Sequence, residues 1–594
     1  MKKFLALSVL AALSQSVWAD VNYSLAVTQP EHHLGNVSVE FPQTAQAHLD
    51  VKLPAWRTGR YEILNLANGV RYFEAKDENG KALQWEKVDA STWRVHLDEP
   101  TEVNIDYQVY ANELGKRARH IDDSHAFIDA SGFFMFSESF RQEPVTVKLD
   151  VPKAWRSVSG MDNAGSKHSF KAADYDILVD SPIETGINEH HTFAVDGRDY
   201  ELVIWGEGNY DVDQMLTDLK KLVTTGSIIW DDYPYQRYVF MVHATSGAGG
   251  ATEHINSTII QRPRDRFGSR EDYLAFISTA AHEFIHTWNV KAYRPEGLVP
   301  YDYTHMNFDK LLWIAEGSTS YFEDHLMVRS GISTTDEFLK TLTKTVNRHL
   351  LTPGREVQSA TATSFDKWIG QGGDHARNYS TNIYLEGALI SMALDIDLLE
   401  KSQGKQSYRD VHRALYSQYK MPHGFSANDV KTILKDLTGR DYSQWWATNV
   451  DAPAAIDFDA LFAKVGLELV RPKSAKAVAS IDAVAKNSGE LLTLTHVRRD
   501  GAAWQAGLTT DDKIVAINKK HVGKDLTSSL ETFKAGDKVT IDFIRRDVLQ
   551  SSTLVLSEDF DKDKKLVANK DATTQQMALF KAWMGVEHPN LAKK

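Results

Sequence analysis

The 594-residue chain contains no cysteine. It therefore forms no disulfide bond and carries no thiolate, so any protein-bound metal must be held by histidines and carboxylates. A covalent nucleophile, if the protein uses one, would have to be a serine, a threonine or a carboxylate. A chain of this length does not depend on disulfides, because large proteins bury enough apolar surface to fold without them.

Positive charge is also scarce. The sequence has 67 lysines and arginines against 80 aspartates and glutamates, which gives a formal net charge of −13 at pH 7. Loss of the first 19 residues, which include Lys2 and Lys3, would change this charge to −15. Because proteins that bind nucleic acid present a basic surface to the phosphates, we expect no nucleic-acid partner.

Long hydrophobic runs are absent except near the start. Lys2 and Lys3 precede an apolar run over residues 4–13, and Val17-Trp18-Ala19 follows a short polar stretch. This order is typical of a cleavable signal peptide, and the run is shorter than the ~18 residues that a spanning helix needs. We expect cleavage after Ala19, a periplasmic or secreted protein, and no membrane span. The alternative is a retained membrane anchor.

Changes in hydrophobic period divide the rest of the chain into domains. Residues 20–206 have the pattern of many short alternating strands separated by turns, which predicts a β-sandwich. Residues 207–456 show mostly helical spacing, with a small sheet near their start. Strands return over residues 457–560, and residues 561–594 form a tail with an amphipathic helix. The predicted fold class is a multidomain α+β protein.

The segment His282-Glu283-Phe284-Ile285-His286 has the H-E-x-x-H pattern. Two histidines one helical turn apart lie on one face of a helix, where both imidazoles can bind one ion with the glutamate beside them. Apolar residues at helical spacing predict that this helix is buried, with Ser269 and Asp272 forming its N-terminal cap. Because buried histidines are costly without partners, the pattern favours a metal site over two satisfied core histidines.

A catalytic zinc needs a third protein ligand and leaves one coordination position open. Glu316 is the candidate, 30 residues after His286 on a second predicted apolar helix over residues 308–328. A glutamate on an apolar face is favoured as a ligand over a surface residue. The set His282, His286 and Glu316 predicts one Zn²⁺ per chain.

These motifs resemble a known family. The segments H-E-F-I-H-T-W-N at residues 282–289, Y-R-P at 293–295 and W-I-A-E-G-S-T-S-Y at 313–321 are similar to the PDZ-containing glycyl aminopeptidases, and more distantly to aminopeptidase N. P-A-W-R-T-G-R-Y at 54–61 resembles the same family's N-terminal signature. The resemblance implies a thermolysin-like (gluzincin) zinc peptidase domain, Glu283 as general acid and base, and removal of glycine or other small N-terminal residues.

Residues 249–254, G-G-A-T-E-H, resemble the family's G-G-L-E-H segment and the G-A-M-E-N segment of aminopeptidase N. In those enzymes an edge strand lines the cleft, and its glutamate receives the substrate's free amino group. The resemblance implies that Gly250, Ala251 and Glu253 bind substrate, since a carboxylate offers an ammonium a charge-assisted hydrogen bond. Ala251 and Thr252 depart from the family pattern, and a solvated loop glutamate is the alternative.

The segment Tyr384-Leu385-Glu386-Gly387 aligns with a Y-x-K-G motif of the relatives. There the tyrosine donates a hydrogen bond to the developing oxyanion, a contribution whose loss can cost ~10²–10³ in rate. The resemblance implies that Tyr384 is catalytic. Glu386 stands where lysine is usual and Tyr379 lies close by in sequence, so the choice between the two tyrosines, or a core role for Tyr384, stays open.

Residues 497–518 resemble the central strand, helix and strand of a PDZ domain, through A-x-x-A-G-L followed by an acidic residue and I-x-x-I-N. The resemblance implies a C-terminal PDZ-like domain, although residues 489–492 match the family's carboxylate-binding loop poorly. PDZ domains bind extended chain ends at a sheet edge. The partner of this domain is therefore either a peptide C-terminus or another surface of the same chain.

Three functions remain open at this stage. An aminopeptidase would act on peptides with a free N-terminus, whereas an endopeptidase would leave Glu253 without an amine to bind and would cleave blocked peptides. A non-catalytic binding or chaperone protein that uses the PDZ-like groove is the third, and the complete zinc set argues against it. His120, Asp122, Asp123 and His125 could form a second metal cluster but are interpreted as a polar loop.

Overall fold

The computed structural model describes residues 20–369, 372–471, 478–489, 491–559 and 564–592. The predicted signal peptide, residues 1–19, lies outside these ranges. The described chain is a mixed α+β protein of several domains, with a β-rich N-terminal region followed by a helical region, as the sequence predicts.

Two main sheets form the N-terminal region. The larger has the strand order Asp162–Asn163, Ser169–Ala172, Val145–Asp150, Val21–Gln29, Leu34–Thr44, Thr101–Tyr110 and Val70–Lys76. The smaller has the order Asn112–Glu113, Arg119–Ile121, His125–Ile128, Ile183–Gly186 and Arg156–Ser159. A separate three-stranded sheet has the order His48–Lys52, Thr92–His96 and Trp85–Lys87, and Trp56–Arg57 pairs with Glu62–Ile63. Alternate side chains of the first strand are buried, because successive residues of a strand point to opposite faces.

The strand pairing places the domain boundary before the predicted position at residue 206. The alternating pattern assigns Asn188–Val195 and Arg198–Trp205 to the N-terminal domain, but they pair into the sheet of the helical domain. That sheet has the order Asn188–Val195, Arg198–Trp205, Arg237–Thr245, Ser257–Pro263 and Gly250–Glu253. Alternation along a strand does not reveal which strand it pairs with, so the sequence alone could not place this boundary.

The helical domain supplies three segments that carry predicted site residues. They are Arg270–Ile285, the π-helical turn Trp313–Gly317 with its continuation Ser318–Arg329, and Ile383–Lys401. The other helices are Val212–Val223, Thr335–Leu350, Ala360–Asp366, Gly373–Tyr379, Tyr408–Gln418, Ala427–Thr438, Ser443–Asn449 and Phe458–Ala463. One continuous core joins these helices, except Gly373–Tyr379, to the five-stranded sheet. In the ranges described above, no helix has both the length and the apolar character needed to cross a membrane.

A smaller module with its own core follows the helical domain. Its sheet has the order Ala483–Ser488, Leu491–Val497, Lys513–Ile517, Lys538–Arg545 and Val548–Val555, with Lys520–His521 beside the third strand. The short helices Ala502–Gln505 and Leu526–Leu530 complete it, and Val478–Ser480 pairs with Ser557–Asp559 at its base. Its PDZ-like character stays a prediction.

The chain then returns to the helical domain. Strand Lys565–Ala568 pairs antiparallel with Leu467–Val470, and helix Thr574–Met584 is buried in the helical core. The indole N–H of Trp583 donates a hydrogen bond of 2.8 Å to the hydroxyl of Tyr321 on the Ser318–Arg329 helix. Residues 458–470 and 564–592 therefore pack with the helical domain, and the predicted boundaries at 457 and 561 do not follow the core. The small module is an insertion between these two segments.

Candidate metal centre and active site

The helix Arg270–Ile285 positions the first two predicted ligands. It begins at the predicted cap, where the hydroxyl of Ser269 accepts a hydrogen bond of 3.1 Å from the backbone N–H of Asp272. His282 and His286 follow one turn apart near the C-terminal end of this helix. Both are buried, and His286 is only 1% exposed. The sequence motif thus becomes two imidazoles on one buried face.

Two glycines bring the third predicted ligand close. Glu316 lies in the π-helical turn Trp313–Gly317, a kind of local widening that often marks functional sites. A β-carbon at Gly317 would collide with the Cα atom of Gly387, and one at Gly387 would lie 2.8 Å from the Cα atom of Gly317. The backbones therefore touch at a point where neither residue can carry a side chain, and this contact fixes Glu316 relative to the helix Ile383–Lys401.

The three predicted ligands converge on one point. Atom Oε2 of Glu316 lies 3.4 Å from Nε2 of His282 and 3.3 Å from Nε2 of His286, and the two Nε2 atoms are 3.0 Å apart. Donor atoms of a tetrahedral zinc, each about 2.0–2.1 Å from the ion, would be about 3.3–3.4 Å apart. The spacing of the three atoms therefore fits a zinc ion.

The contacts of the two Nδ1 atoms indicate the protonation of each histidine ring. Nδ1 of His282 lies 2.6 Å from Oε2 of Glu323, and Nδ1 of His286 lies 2.7 Å from the backbone carbonyl of Asn289. Because both neighbours are acceptors, each Nδ1 carries the proton and each Nε2 presents a lone pair. Two lone pairs and a carboxylate oxygen that face one another form a donor set that suits a zinc ion.

Asn289 and Glu323 also hold the ligands in place. The amide of Asn289 donates 2.9 Å to the carbonyl of Ile314 and 3.1 Å to the hydroxyl of Thr319, on either side of Glu316. Glu323 accepts a hydrogen bond of 3.0 Å from the hydroxyl of Ser278 while it faces His282. Such partners of metal ligands orient them and raise their basicity.

Glu283 lies beside the centre without being one of the converging three. It is 6% exposed, and its Oε2 atom is buried without a hydrogen-bond partner in the described chain. Burial raises the pKa of Glu283 to about 7, with Glu253 and Glu316 adding to the rise and the two histidines opposing it. A carboxylate with a pKa near neutrality can both accept and release a proton.

Glu253 approaches the same centre from the edge strand Gly250–Glu253. Carboxylate oxygens of Glu253 and Glu283 and one ring nitrogen of His286 lie within 4.8 Å of one another. Glu253 is buried, Ala251 is half-buried and Gly250 is exposed at the start of the strand. Gly250 has a φ of +96°, and a β-carbon there would lie 2.8 Å from the guanidinium of Arg117. The predicted substrate strand thus runs from the surface to the metal centre.

The structure separates the two candidate tyrosines. The ring of Tyr384 lies 6.0 Å from that of His282, whereas Tyr379 packs against His375 and Arg499 at the inserted module. Tyr384 also lines a cavity of about 370 Å³ together with Glu323. Of the two, only Tyr384 is next to the metal centre.

Glu386, which replaces the lysine of the related motif, has a partner of its own. Its Oε2 atom lies 2.9 Å from Nδ1 of His349, and both side chains are buried. The unusual residue is therefore accommodated by a buried partner on the helix Thr335–Leu350. The geometry around Tyr384 does not depend on a lysine at this position.

Two parts of the chain match models of known protein families. Residues 22–187 match the Peptidase M61 N-terminal domain and residues 275–390 match the M61 glycyl aminopeptidase family. A crystal structure of an aminopeptidase N family protein from Idiomarina loihiensis is similar over 95% of this chain and 100% of its own, with 26% identity and a TM-score of 0.88. The chain is a zinc metallopeptidase, and over these two segments it is similar to the M61 glycyl aminopeptidases. The resemblance predicted from the sequence motifs is confirmed.

Two more distant structures are similar to this peptidase. An M1 zinc metallopeptidase from Deinococcus radiodurans, bound to a Tyr-Ser-Ala substrate, shares 14% identity over 74% of this chain and 94% of its own, with a TM-score of 0.47. Leukotriene A4 hydrolase from Saccharomyces cerevisiae shares 14% identity over 75% of this chain and 70% of its own, also with a TM-score of 0.47. No curated protein matches the chain in sequence.

A set of N-terminal residues at the site of this peptidase is not indicated by its sequence motifs. The hydroxyl of Tyr61 donates 3.0 Å to Oε1 of Glu253, and Arg117 donates 2.9 Å to the hydroxyl of Thr252 and 2.7 Å to the carbonyl of Gly249. Tyr61 ends the P-A-W-R-T-G-R-Y segment, which was a signal for the family only. Nothing in that segment indicates a contact with a residue 192 positions later.

The interpretation of His120, Asp122, Asp123 and His125 as a polar loop was wrong for the two histidines. Both are buried in strands of the smaller N-terminal sheet. Nδ1 of His125 lies 3.0 Å from Glu184, whose other oxygen lies 2.9 Å from Nε2 of His243 in the sheet of the helical domain. One buried carboxylate thus joins a histidine from each domain of this peptidase.

Proposed function

We propose that this peptidase removes N-terminal residues from peptides with a free amino terminus, with glycine or another small residue preferred. The observation that carries the proposal is the position of Glu253, buried beside Glu283 and His286. A carboxylate so placed pairs with the ammonium of a substrate whose first peptide bond lies at the metal centre. The preference for small residues rests on the match to the glycyl aminopeptidase family.

The proposed mechanism divides the chemistry among these residues. His282, His286 and Glu316 would hold one zinc ion per chain, which when bound supplies a Lewis acid for the scissile carbonyl and for a water molecule. Glu283 accepts the proton of the attacking water and delivers it to the nitrogen of the departing amine.

Tyr384 and the edge strand complete the proposed site. Burial, with Glu316 next in effect, holds the pKa of Tyr384 well above its usual value, so the phenol stays protonated. It donates a hydrogen bond to the carbonyl oxygen as negative charge develops there. Gly250 and Ala251 line the path of the substrate backbone, in line with the edge strand to which they belong.

A panel of free and N-acetylated aminoacyl substrates tests the proposal. Glu253→Gln is expected to lower kcat/KM for free substrates by about ten- to a hundredfold, because a hydrogen bond to a charged group is worth ~1.5–3 kcal/mol. Acetylated substrates should be poor for the wild type and hardly changed by the substitution. A chelator should abolish both activities.

The same panel identifies the rival function. If the wild type cleaves free and acetylated substrates equally well, this chain is an endopeptidase and Glu253 does not bind an amine. Metal analysis of the variant is the control, since Glu253→Gln should retain its zinc. Loss of zinc from Glu253→Gln would show that the carboxylate supports the metal instead.

We also propose that residues 478–559 form a PDZ-like accessory module. The module docks on the helix Gly373–Tyr379, where the amide of Asn378 donates 2.8 Å to the carbonyl of Val497 and its oxygen accepts 2.8 Å from the N–H of Arg499. Strand Ala483–Ser488 lies at one edge of the module's sheet. An extended peptide C-terminus pairing with this edge is the partner that such a domain recognises.

Excision of the module should leave peptidase activity. Because Val470 pairs with Lys565 in an antiparallel ladder, residues 471–564 can be replaced by a two-residue Asn-Gly turn that closes a hairpin. The excised protein is expected to bind zinc and to cleave a dipeptide-sized substrate within about tenfold of wild type. Ending the chain at Val470 instead removes the buried helix Thr574–Met584 and should prevent folding. A folded, zinc-loaded excision variant with no activity would show that the module completes the active site.

We further propose a periplasmic or secreted location. The order of Lys2, Lys3, an apolar run and Ala19 supports it. N-terminal sequencing of the exported protein should begin at Asp20. A mature protein that still begins at Met1 would contradict this location.

A further inference from the structure

The substrate's amine site is built from two domains. Glu253 belongs to the edge strand Gly250–Glu253 of the helical domain's sheet, but the hydroxyl that contacts it comes from Tyr61 in the N-terminal domain. The Tyr61 hydroxyl donates 3.0 Å to Oε1 of Glu253, and both side chains are buried. Oε1 accepts this hydrogen bond, so Oε2 is the oxygen with both lone pairs left for an ammonium.

The backbone at Tyr61 is held in an unfavourable conformation. Its φ is +53°, in the left-handed region that a bulky non-glycine residue rarely adopts. Gly59, two residues earlier, has a φ of +72°, and a β-carbon there would lie 3.0 Å from Oε2 of Glu253. Strained residues of this kind persist where the surrounding contacts determine them and cluster at functional sites.

Several contacts outside the turn keep it in this conformation. The backbone N–H of Tyr61 donates 2.9 Å to the carbonyl of Arg57, whose guanidinium forms a buried ion pair of 2.7 Å with Asp129. Lys291, nearly fully buried, donates 3.0 Å to the hydroxyl of Thr58. The ring of Tyr61 stacks on Trp368 with the ring centres 5.7 Å apart. The turn is thus fixed from both domains.

We propose that Tyr61 is a positioning residue for amine recognition, which orients Glu253 so that its free oxygen meets the substrate's N-terminal ammonium. The inference rests on the proposed aminopeptidase function. Burial, and the nearby charge of Glu253 after it, hold the pKa of Tyr61 well above its usual value, so its hydroxyl stays a donor. The N-terminal domain therefore contributes to the specificity of this peptidase for free amino termini, although the metal ligands all lie in the helical domain.

Tyr61→Phe tests the inference, because it removes the hydroxyl and keeps the ring that stacks on Trp368. For free aminoacyl substrates we expect KM to rise about tenfold with kcat nearly unchanged, since the ammonium contact exists before and during the reaction. N-acetylated substrates and zinc content should be unchanged. In a Glu253→Gln background the same substitution should have no further effect, because the residue acts through Glu253.

Tyr303→Phe is the matched control. It removes another buried tyrosine hydroxyl, one that donates 2.7 Å to Asp176 away from Glu253, and its KM should equal that of wild type. An unchanged KM for Tyr61→Phe would overturn the inference. So would a rise in KM that is equally large in the Glu253→Gln background or on acetylated substrates. If Glu253→Gln itself shows its expected effect, these outcomes leave the proposed function standing. Equal cleavage of free and acetylated substrates by the wild type would overturn both the inference and the proposed function.

Discussion

Glu283→Gln is expected to lower kcat by about 10²- to 10⁴-fold while the zinc stays bound, the range over which positioned acids and bases contribute to catalysis. The substitution removes the proton acceptor but leaves His282, His286 and Glu316 untouched. Glutamine also fills the same buried space, so the helix Arg270–Ile285 should keep its packing. Single-turnover kinetics with a free dipeptide and metal analysis of the same sample measure both outcomes.

Glu271→Gln is the control for this experiment. Glu271 lies on the same helix but is exposed and paired with Lys344, so its loss should leave both kcat and zinc content at wild-type values. If Glu283→Gln kept activity within a few-fold of wild type, Glu283 would not be the general base. If it lost its zinc as well, its role would be in holding the metal centre together.

Glu316→Gln is expected to weaken zinc binding by more than the ~10–100-fold that loss of a ligand's supporting partner costs, since it removes a coordinating charge. The neutral amide oxygen is a poorer metal ligand than a carboxylate oxygen, and the ligand set of the variant has one negative charge fewer. Competition with a chromogenic chelator measures the affinity. At low free zinc the variant should be inactive, and added zinc should restore part of its activity.

Glu323→Gln gives a graded comparison for the same measurement. Glu323 faces the Nδ1 atom of His282 and not the metal, so its substitution should weaken binding by about 10–100-fold. An affinity of Glu316→Gln equal to that of wild type would mean that Glu316 is not a ligand. If Glu323→Gln bound zinc more weakly than Glu316→Gln, the proposed division between Glu316 as ligand and Glu323 as supporting partner would be wrong.

Local patterns explain why part of this site could be predicted from the sequence. His282 and His286 are related by one helical turn, and the cap at Ser269 involves residues three apart, so each can be inferred within a short window. Glu316 could be chosen because a carboxylate on an apolar helix needs a reason to be buried. The choice between Tyr384 and Tyr379 needed the structure, since the two residues lie only a few positions apart in the sequence.

Contacts between distant segments explain what the sequence could not predict. The hydrogen bond from Tyr61 to Glu253 depends on how two domains meet, and neither residue's neighbours signal the other. Strand Arg198–Trp205 pairs with Arg237–Thr245, and the alternating pattern of a strand does not indicate which strand is its partner. The packing of helix Thr574–Met584 in the helical core could not be predicted, because the sequence of an amphipathic helix does not indicate which surface it covers.

The contact between Gly317 and Gly387 bears on how a peptide can enter the cleft. Glu316 and Tyr384 each lie within three residues of this contact, on segments whose backbones touch. Neither group can move away from the other unless that contact opens. We therefore expect the backbone segments that carry Glu316 and Tyr384 to keep their relative position during turnover. Any widening that admits a substrate must then come from segments other than Trp313–Gly317 and Ile383–Lys401.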